Sequence, residues 1–193
     1  PVALELSDFQ SAVACAQVVR AMGVGLDRLN CNAGINTFGD VELGVRMANL
    51  SLCLLEKFQA KEYLPRTYMG VYGFVYSFKQ PFRDLLQPLL VAHRTGLVTG
   101  DIEASMLSAA MYTGMGLQSA SCNLADIYEN ALSFADLMRT HNQTTTLTLL
   151  LPNMQLILNL MGRCDDPLRL QGEALDFDEA KKTATATKND LSL

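Results

Sequence analysis

Between Lys61 and Met115 the chain reads KEYLPRTYMGVYGFVYSFKQPFRDLLQPLLVAHRTGLVTGDIEASMLSAAMYTGM, and its apolar residues fall three and four apart almost without interruption. Leu64, Tyr68, Val71, Tyr72, Val75, Phe78 and Phe82 form the first row, which is one face of a helical period and not the alternation of a strand. Such a row must be hidden, so the spacing predicts a helix with this face buried. A second helix is predicted over 82–98, with Leu85, Leu86, Leu89, Leu90, His93 and Leu97 on its apolar side. Pro88 lies past its first turn, so a late start near Asp84 or a bend is expected. Gly100 can take the left-handed conformation that closes a helix. Asp101 can then accept backbone N–H bonds at the start of the next, with Glu103 adding negative charge to that first turn. A connection this short makes neighbouring helices antiparallel.

The same punctuation stands earlier, at Gly39, Asp40, Val41 and Glu42, as a shared turn signal. Ser7 and Asp8 can cap a helix reaching about Met22, and a weaker helix is expected over 26–38. Over 41–58, Val45, Ala48, Leu52 and Leu55 with Leu43, Met47, Leu50 and Leu54 predict a helix buried on more than one side. Pro65 suits a first helical turn, where its missing N–H costs nothing. Further helices are expected from about Leu124 to Thr140, with Ile127, Tyr128, Ala131, Phe134, Ala135 and Met138, and from Gln143 to Met161, with Pro152 as a kink. The fold class expected is all-α, a right-handed stack of antiparallel helical hairpins of the tetratricopeptide-like kind, occupying 1–162. From 163 to 193 the composition turns polar and charged, which predicts a linker with a short helix over 178–187.

Several short runs carry a resemblance. Leu55-Glu56-Lys57-Phe58, Ala60-Lys61-Glu62, Leu64-Pro65-Arg66, Val71-Tyr72-Gly73-Phe74, Pro88-Leu89-Leu90, Thr99-Gly100-Asp101-Ile102-Glu103 and Leu158-Asn159-Leu160-Met161-Gly162, taken in order, resemble the helical-repeat segment of very large signalling proteins. Those proteins join an AAA-type signal-transduction ATPase to a serine/threonine kinase or sensor histidine kinase. The similarity spans about 38–173, and where that family often has an aromatic near the last helix this chain has Asn153 and Met154. The resemblance implies a non-catalytic regulatory and interaction segment that couples ATPase and kinase modules, with those modules or other proteins as partners. A cytoplasmic location is expected from the odd count of five single cysteines, and no cofactor is expected for this segment.

Composition agrees with a packed helical array: 49% of the 193 residues are hydrophobic and 18% charged, with a net charge of −5. An acidic chain without a basic stripe is not built for nucleic acid. The apolar window over 147–161 is interrupted by Pro152, Asn153, Gln155 and Asn159 and falls short of the roughly 20 residues of a membrane span. A start at Pro1 with no basic-then-apolar leader suggests a piece of a longer protein. Cys15, Cys31, Cys53, Cys122 and Cys164 are scattered singly, which predicts reduced thiols packed in helix interfaces and neither a zinc site nor a disulfide framework.

No phosphate loop or kinase constellation is written in the chain. Asn32-Ala33-Gly34-Ile35 matches the NAG element of short-chain dehydrogenases, but no Tyr is followed four residues later by Lys. His93 sits on an apolar stripe and lacks the flanking residues of a phospho-acceptor helix, so a packed, hydrogen-bonded role is expected. His141 is expected to favour a helix C-terminus, and Glu173, Asp176, Asp178 and Glu179 a solvated tail. The aromatic series Tyr63, Tyr68, Tyr72, Phe74, Tyr76, Phe78 and Phe82 is expected in the core, its outer tyrosines available as binding anchors. The alternative function is a small-molecule sensor or enzyme with its ligand between helices near Tyr68, Tyr72, His93 and Tyr112.

Overall fold

The computed structural model describes residues 41–176. The helices expected over 8–22, 26–38 and 178–187, together with Cys15, Cys31 and the Asn32–Ile35 element, lie outside them. Among the described residues all regular structure is helical, and the one extended feature is an isolated antiparallel bridge between Gln171 and Asp176. The chain divides into two compact units after Ser108.

In the first unit, helix α1 (Val41–Phe58) buries Gly44, Ala48, Ser51 and Leu55, with Leu50 and Leu54 beside them. Leu43 stays exposed and Val45, Met47 and Leu52 are only partly covered. The expected burial on more than one side is therefore replaced by a single broad stripe.

The helix expected to open near Glu62 and to carry the row from Leu64 to Phe82 is broken, with the turn before it, into four pieces. A 3-10 turn (Lys61–Tyr63) leads into the short helix α2 (Leu64–Tyr68), with Pro65 in its first turn as expected. A π-helical stretch (Met69–Val75) and a second 3-10 turn (Tyr76–Phe78) follow. The cause is local: Gly70, Val71, Gly73 and Val75 all hold an α-helix poorly. A π turn bonds residue i to i+5, so each residue advances the wheel less and the three-and-four row slips out of register. Val71 and Val75 stay buried while Phe78, expected in the same row, is 65% exposed.

Helix α3 (Phe82–Thr99) begins at Phe82 with Pro81 as its extended N-cap, so the late start is not observed and Pro88 lies inside the helix. Leu85, Leu86, Leu89, Ala92, His93 and Gly96 form its buried face. Gly100 takes φ +84°, as its place after Thr99 predicts, and its N–H donates to Gly96 at 3.0 Å. Helix α4 (Ile102–Ser119) then starts, and the Asp101 carboxylate accepts the Ala104 N–H at 3.4 Å. The same carboxylate takes a two-pronged contact from Arg66 of α2, at 2.7 and 3.2 Å, and Arg66 also reaches Glu103 at 3.4 Å. One arginine thus ties α2 to the α3–α4 turn.

Beyond the division, which falls within α4, helix α5 (Leu124–Thr140) and helix α6 (Thr144–Leu160) form a hairpin through His141, Asn142 and Gln143. Asn123 caps α5 by accepting the Ala125 N–H at 2.9 Å. Ile127, Tyr128, Ala131, Phe134, Ala135 and Met138 of α5 are buried, as their spacing predicts, and Leu150, Met154, Ile157 and Leu158 of α6 are buried with them. Each such aliphatic side chain contributes roughly 1.5–3 kcal/mol when fully covered.

The cysteines depart from expectation. Cys53 is exposed, and Cys122 and Cys164 are half-covered and free. Cys53 falls on the outer side of α1, and the other two stand in turns after α4 and α6 and not within a helix.

Candidate functional site

Of the four residues expected to surround a ligand, Tyr68 and Tyr72 are brought together. Their rings meet edge-on at 5.1 Å, and Tyr76 continues the series at 5.3 Å from Tyr72. Tyr76 is buried and donates its hydroxyl hydrogen bond to Asn49 of α1, whereas Tyr68 and Tyr72 are half-buried. Loss of solvation pushes the Tyr72 hydroxyl up to about 12, with Tyr68 and Tyr76 adding to the effect. At neutral pH Tyr72 and Tyr76, both raised by burial, are uncharged hydrogen-bonding groups. Tyr63, Phe74 and Phe78 lie largely outside the core that was expected to hold them.

His93 is turned to a different task. Its Nδ1 lies 3.1 Å from the Ser105 carbonyl oxygen and 3.0 Å from Ser105 Oγ, and that hydroxyl donates to the His93 carbonyl at 2.8 Å. A carbonyl oxygen can only accept, so Nδ1 carries the proton in the neutral ring. A protonated nitrogen cannot take a proton from Ser105, and the serine proton is already placed on a carbonyl. The pair therefore has the residue types of a Ser–His nucleophile and lacks its proton arrangement. What it does is clamp α3 to α4. The clamp is close because Gly96 has no Cβ: one built there would stand 2.7 Å from Ser105 Cβ and 2.8 Å from the Asp101 carbonyl oxygen. Burial lowers the His93 pKa below 6.5 and Arg94 lowers it further, while the bond to Ser105 acts the other way.

Tyr112 belongs to the second unit, where it packs edge-on against Phe134 at 6.0 Å. His141 is exposed at the end of α5.

The most fully built polar arrangement lies on α6. Gln155 and Asn159, one turn apart, are 0% and 5% exposed. Gln155 Nε2 donates to Asn159 Oδ1 at 2.9 Å, and Gln155 Oε1 accepts the N–H groups of Ala174 and Leu175 at 2.9 and 3.2 Å. Asn159 Nδ2 donates to the carbonyls of Pro167 and Arg169 at 3.2 and 2.7 Å. The polar segment after Gly162 is thus folded back onto α6 as far as residue 176. Leu175 is buried beneath it, and Gly172 donates to the Leu175 carbonyl at 2.9 Å to close a tight turn. At the rim Arg163 pairs with Glu173 at 3.0 Å and lies over the Tyr128 ring at 5.4 Å. Burial, and then Glu173, push the Tyr128 hydroxyl up.

In the sequence Gln155 and Asn159 stand out as interruptions of an apolar window, and Asn159 falls also in one of the runs that carry the resemblance. The signal was nonetheless present: two primary amides four apart on a stripe of leucine, isoleucine and methionine must either be satisfied or cost the helix dearly.

Among the described residues no group of three or more His, Cys, Asp or Glu side chains is placed to hold a metal ion, and no helix is long and apolar enough to cross a membrane. Comparison with known proteins finds no matching family model, no matching curated protein and no matching solved structure.

Proposed function

We propose that this chain is a non-catalytic helical-repeat segment of a multidomain signalling protein, one that holds an ATPase module and a kinase module in a fixed relation and passes the state of the first to the second. The observation that carries this reading is how the buried polar groups are used. His93, Ser105, Gln155 and Asn159 all spend their hydrogen bonds on holding helices and chain segments in place. Such groups set geometry. Antiparallel helices joined by short turns transmit position through nearest-neighbour packing, which suits a coupling element. The order-preserving resemblance over 38–173 supplies the identity of the neighbours.

The test is replacement of residues 41–176, in the protein that carries them between such modules, by a flexible Gly/Ser linker of matched reach. ATP hydrolysis and kinase activity are each expected to persist, while kinase output no longer follows the nucleotide state. Coupling that survives the replacement contradicts the reading.

A further inference from the structure

We propose that the α5–α6 hairpin carries a binding site for a turn-forming peptide, filled in this structure by the chain's own residues 166–176, and that a second peptide of the same chemistry takes the site when the resident segment lifts away. This goes beyond the signalling reading and does not depend on it.

The four bonds that the two amides make to the segment all go to its main chain: the N–H groups of Ala174 and Leu175 and the carbonyls of Pro167 and Arg169. Main-chain groups are common to every peptide, so the amides read a backbone path and not a particular set of side chains. Selectivity comes from three further contacts. Leu175 is buried. Glu173 meets Arg163 at 3.0 Å. At position 172 a Cβ would stand 2.8 Å from Gln155 Nε2, so a larger residue has to push that amide off its bond to Asn159 and glycine is favoured there. The ligand class is therefore a Gly-Glu-x-Leu turn preceded by a segment that offers two free carbonyls.

The site also favours being occupied. Removing the segment exchanges its four bonds to Gln155 and Asn159 for bonds to water and re-exposes Leu175, which loses the apolar burial the docked state has. A peptide offering the same groups makes those contacts in the resident's place. The resident holds one advantage: tethering gives it an effective concentration of about millimolar, so a free peptide well below that concentration competes only when the resident is loosened. The segment is thus a self-occupying latch, and whatever draws on the chain beyond residue 176 bears on it.

The experiment uses the full chain and a fluorescent synthetic peptide of residues 166–176, DPLRLQGEALD. In the Leu175→Asp chain the resident segment loses its apolar plug while Gln155 and Asn159 stay. This chain is expected to bind the peptide at least about tenfold more tightly than the unaltered chain, because the fraction of open site rises. A peptide with Asp in place of the leucine that corresponds to Leu175 is expected to lose that binding, and so is the Leu175→Asp chain carrying Gln155→Leu in addition. Equal affinity for both chains, or a gain that survives either change, overturns the proposal. Should Leu175→Asp not fold, the unaltered chain decides: at about millimolar peptide, amide hydrogen exchange at Ala174 and Leu175 is expected to quicken as the resident is displaced. Unchanged exchange at that concentration overturns the proposal equally.

Discussion

Gln155 Nε2 donates to Asn159 Oδ1 at 2.9 Å across one turn of α6, and through this pair a helix interior holds a segment that returns from beyond the helix end. Asn159→Ala removes an acceptor for Gln155 and the donor to two carbonyls. It is expected to cost about 1–3 kcal/mol, the penalty for buried groups left unpaired. Urea denaturation measures it. In a double-mutant cycle with Gln155→Leu the two losses are expected to fall short of additivity, since the groups form one network.

His93 gives the first unit a dependence on acid. Burial favours the neutral ring, so at pH above 6.5 the folded and unfolded chains are both uncharged at this position and the full stability is present. As pH falls through 6.5 the unfolded chain binds its proton first, and stability drains away with further acidification. Denaturation midpoints followed downward from neutral pH are expected to fall, and His93→Gln is expected to flatten that fall while lowering stability at neutral pH.

Alkali acts on the tyrosine row with the opposite direction of pH. The Tyr72 hydroxyl is raised from 10.0 to about 12, so below 10.0 both states are neutral and nothing is lost. Above that value the unfolded chain ionises first, and the contribution disappears as pH rises toward 12. Tyr72→Phe is expected to reduce the alkaline loss, read as the change in melting temperature between neutral and strongly basic buffer.

Gly96→Ala tests the α3–α4 clamp. Its Cβ would meet Ser105 Cβ and the Asp101 carbonyl, neither of which can swing aside, so the helices must separate. A loss of about 1–3 kcal/mol is expected, as for an overpacked core. An unchanged denaturation midpoint would mean that the crossing is looser than described.

Helical punctuation was the most legible part of the sequence. Gly100 and Asp101 mark one turn, and the apolar spacing from Ile127 to Met138 marks α5, because local conformation and burial agree at those residues. Between Lys61 and Phe78 they conflict. The three-and-four spacing asks for an α-helix while Gly70, Val71 and Gly73 resist one, and the π turn that results has no period of its own to read. Of the four residues expected around a ligand, Tyr68 and Tyr72 have a ring contact that their helical spacing foretells, whereas the bonds of His93 to Ser105 and the contact of Tyr112 with Phe134 join different helices and leave no mark in the spacing. The docking of 163–176 was hidden for another reason: its bonds run from main chain to Gln155 and Asn159, and main chain leaves no mark in composition.

The role proposed for this chain is to set geometry and not to catalyse a reaction. Phosphate release and phosphate incorporation by the purified chain, supplied with ATP and magnesium, test it most directly. Both are predicted to stay at the level of buffer alone, for the unaltered chain and for His93→Ala alike. Turnover that copurifies with the chain and disappears in His93→Ala or Tyr72→Phe contradicts the account.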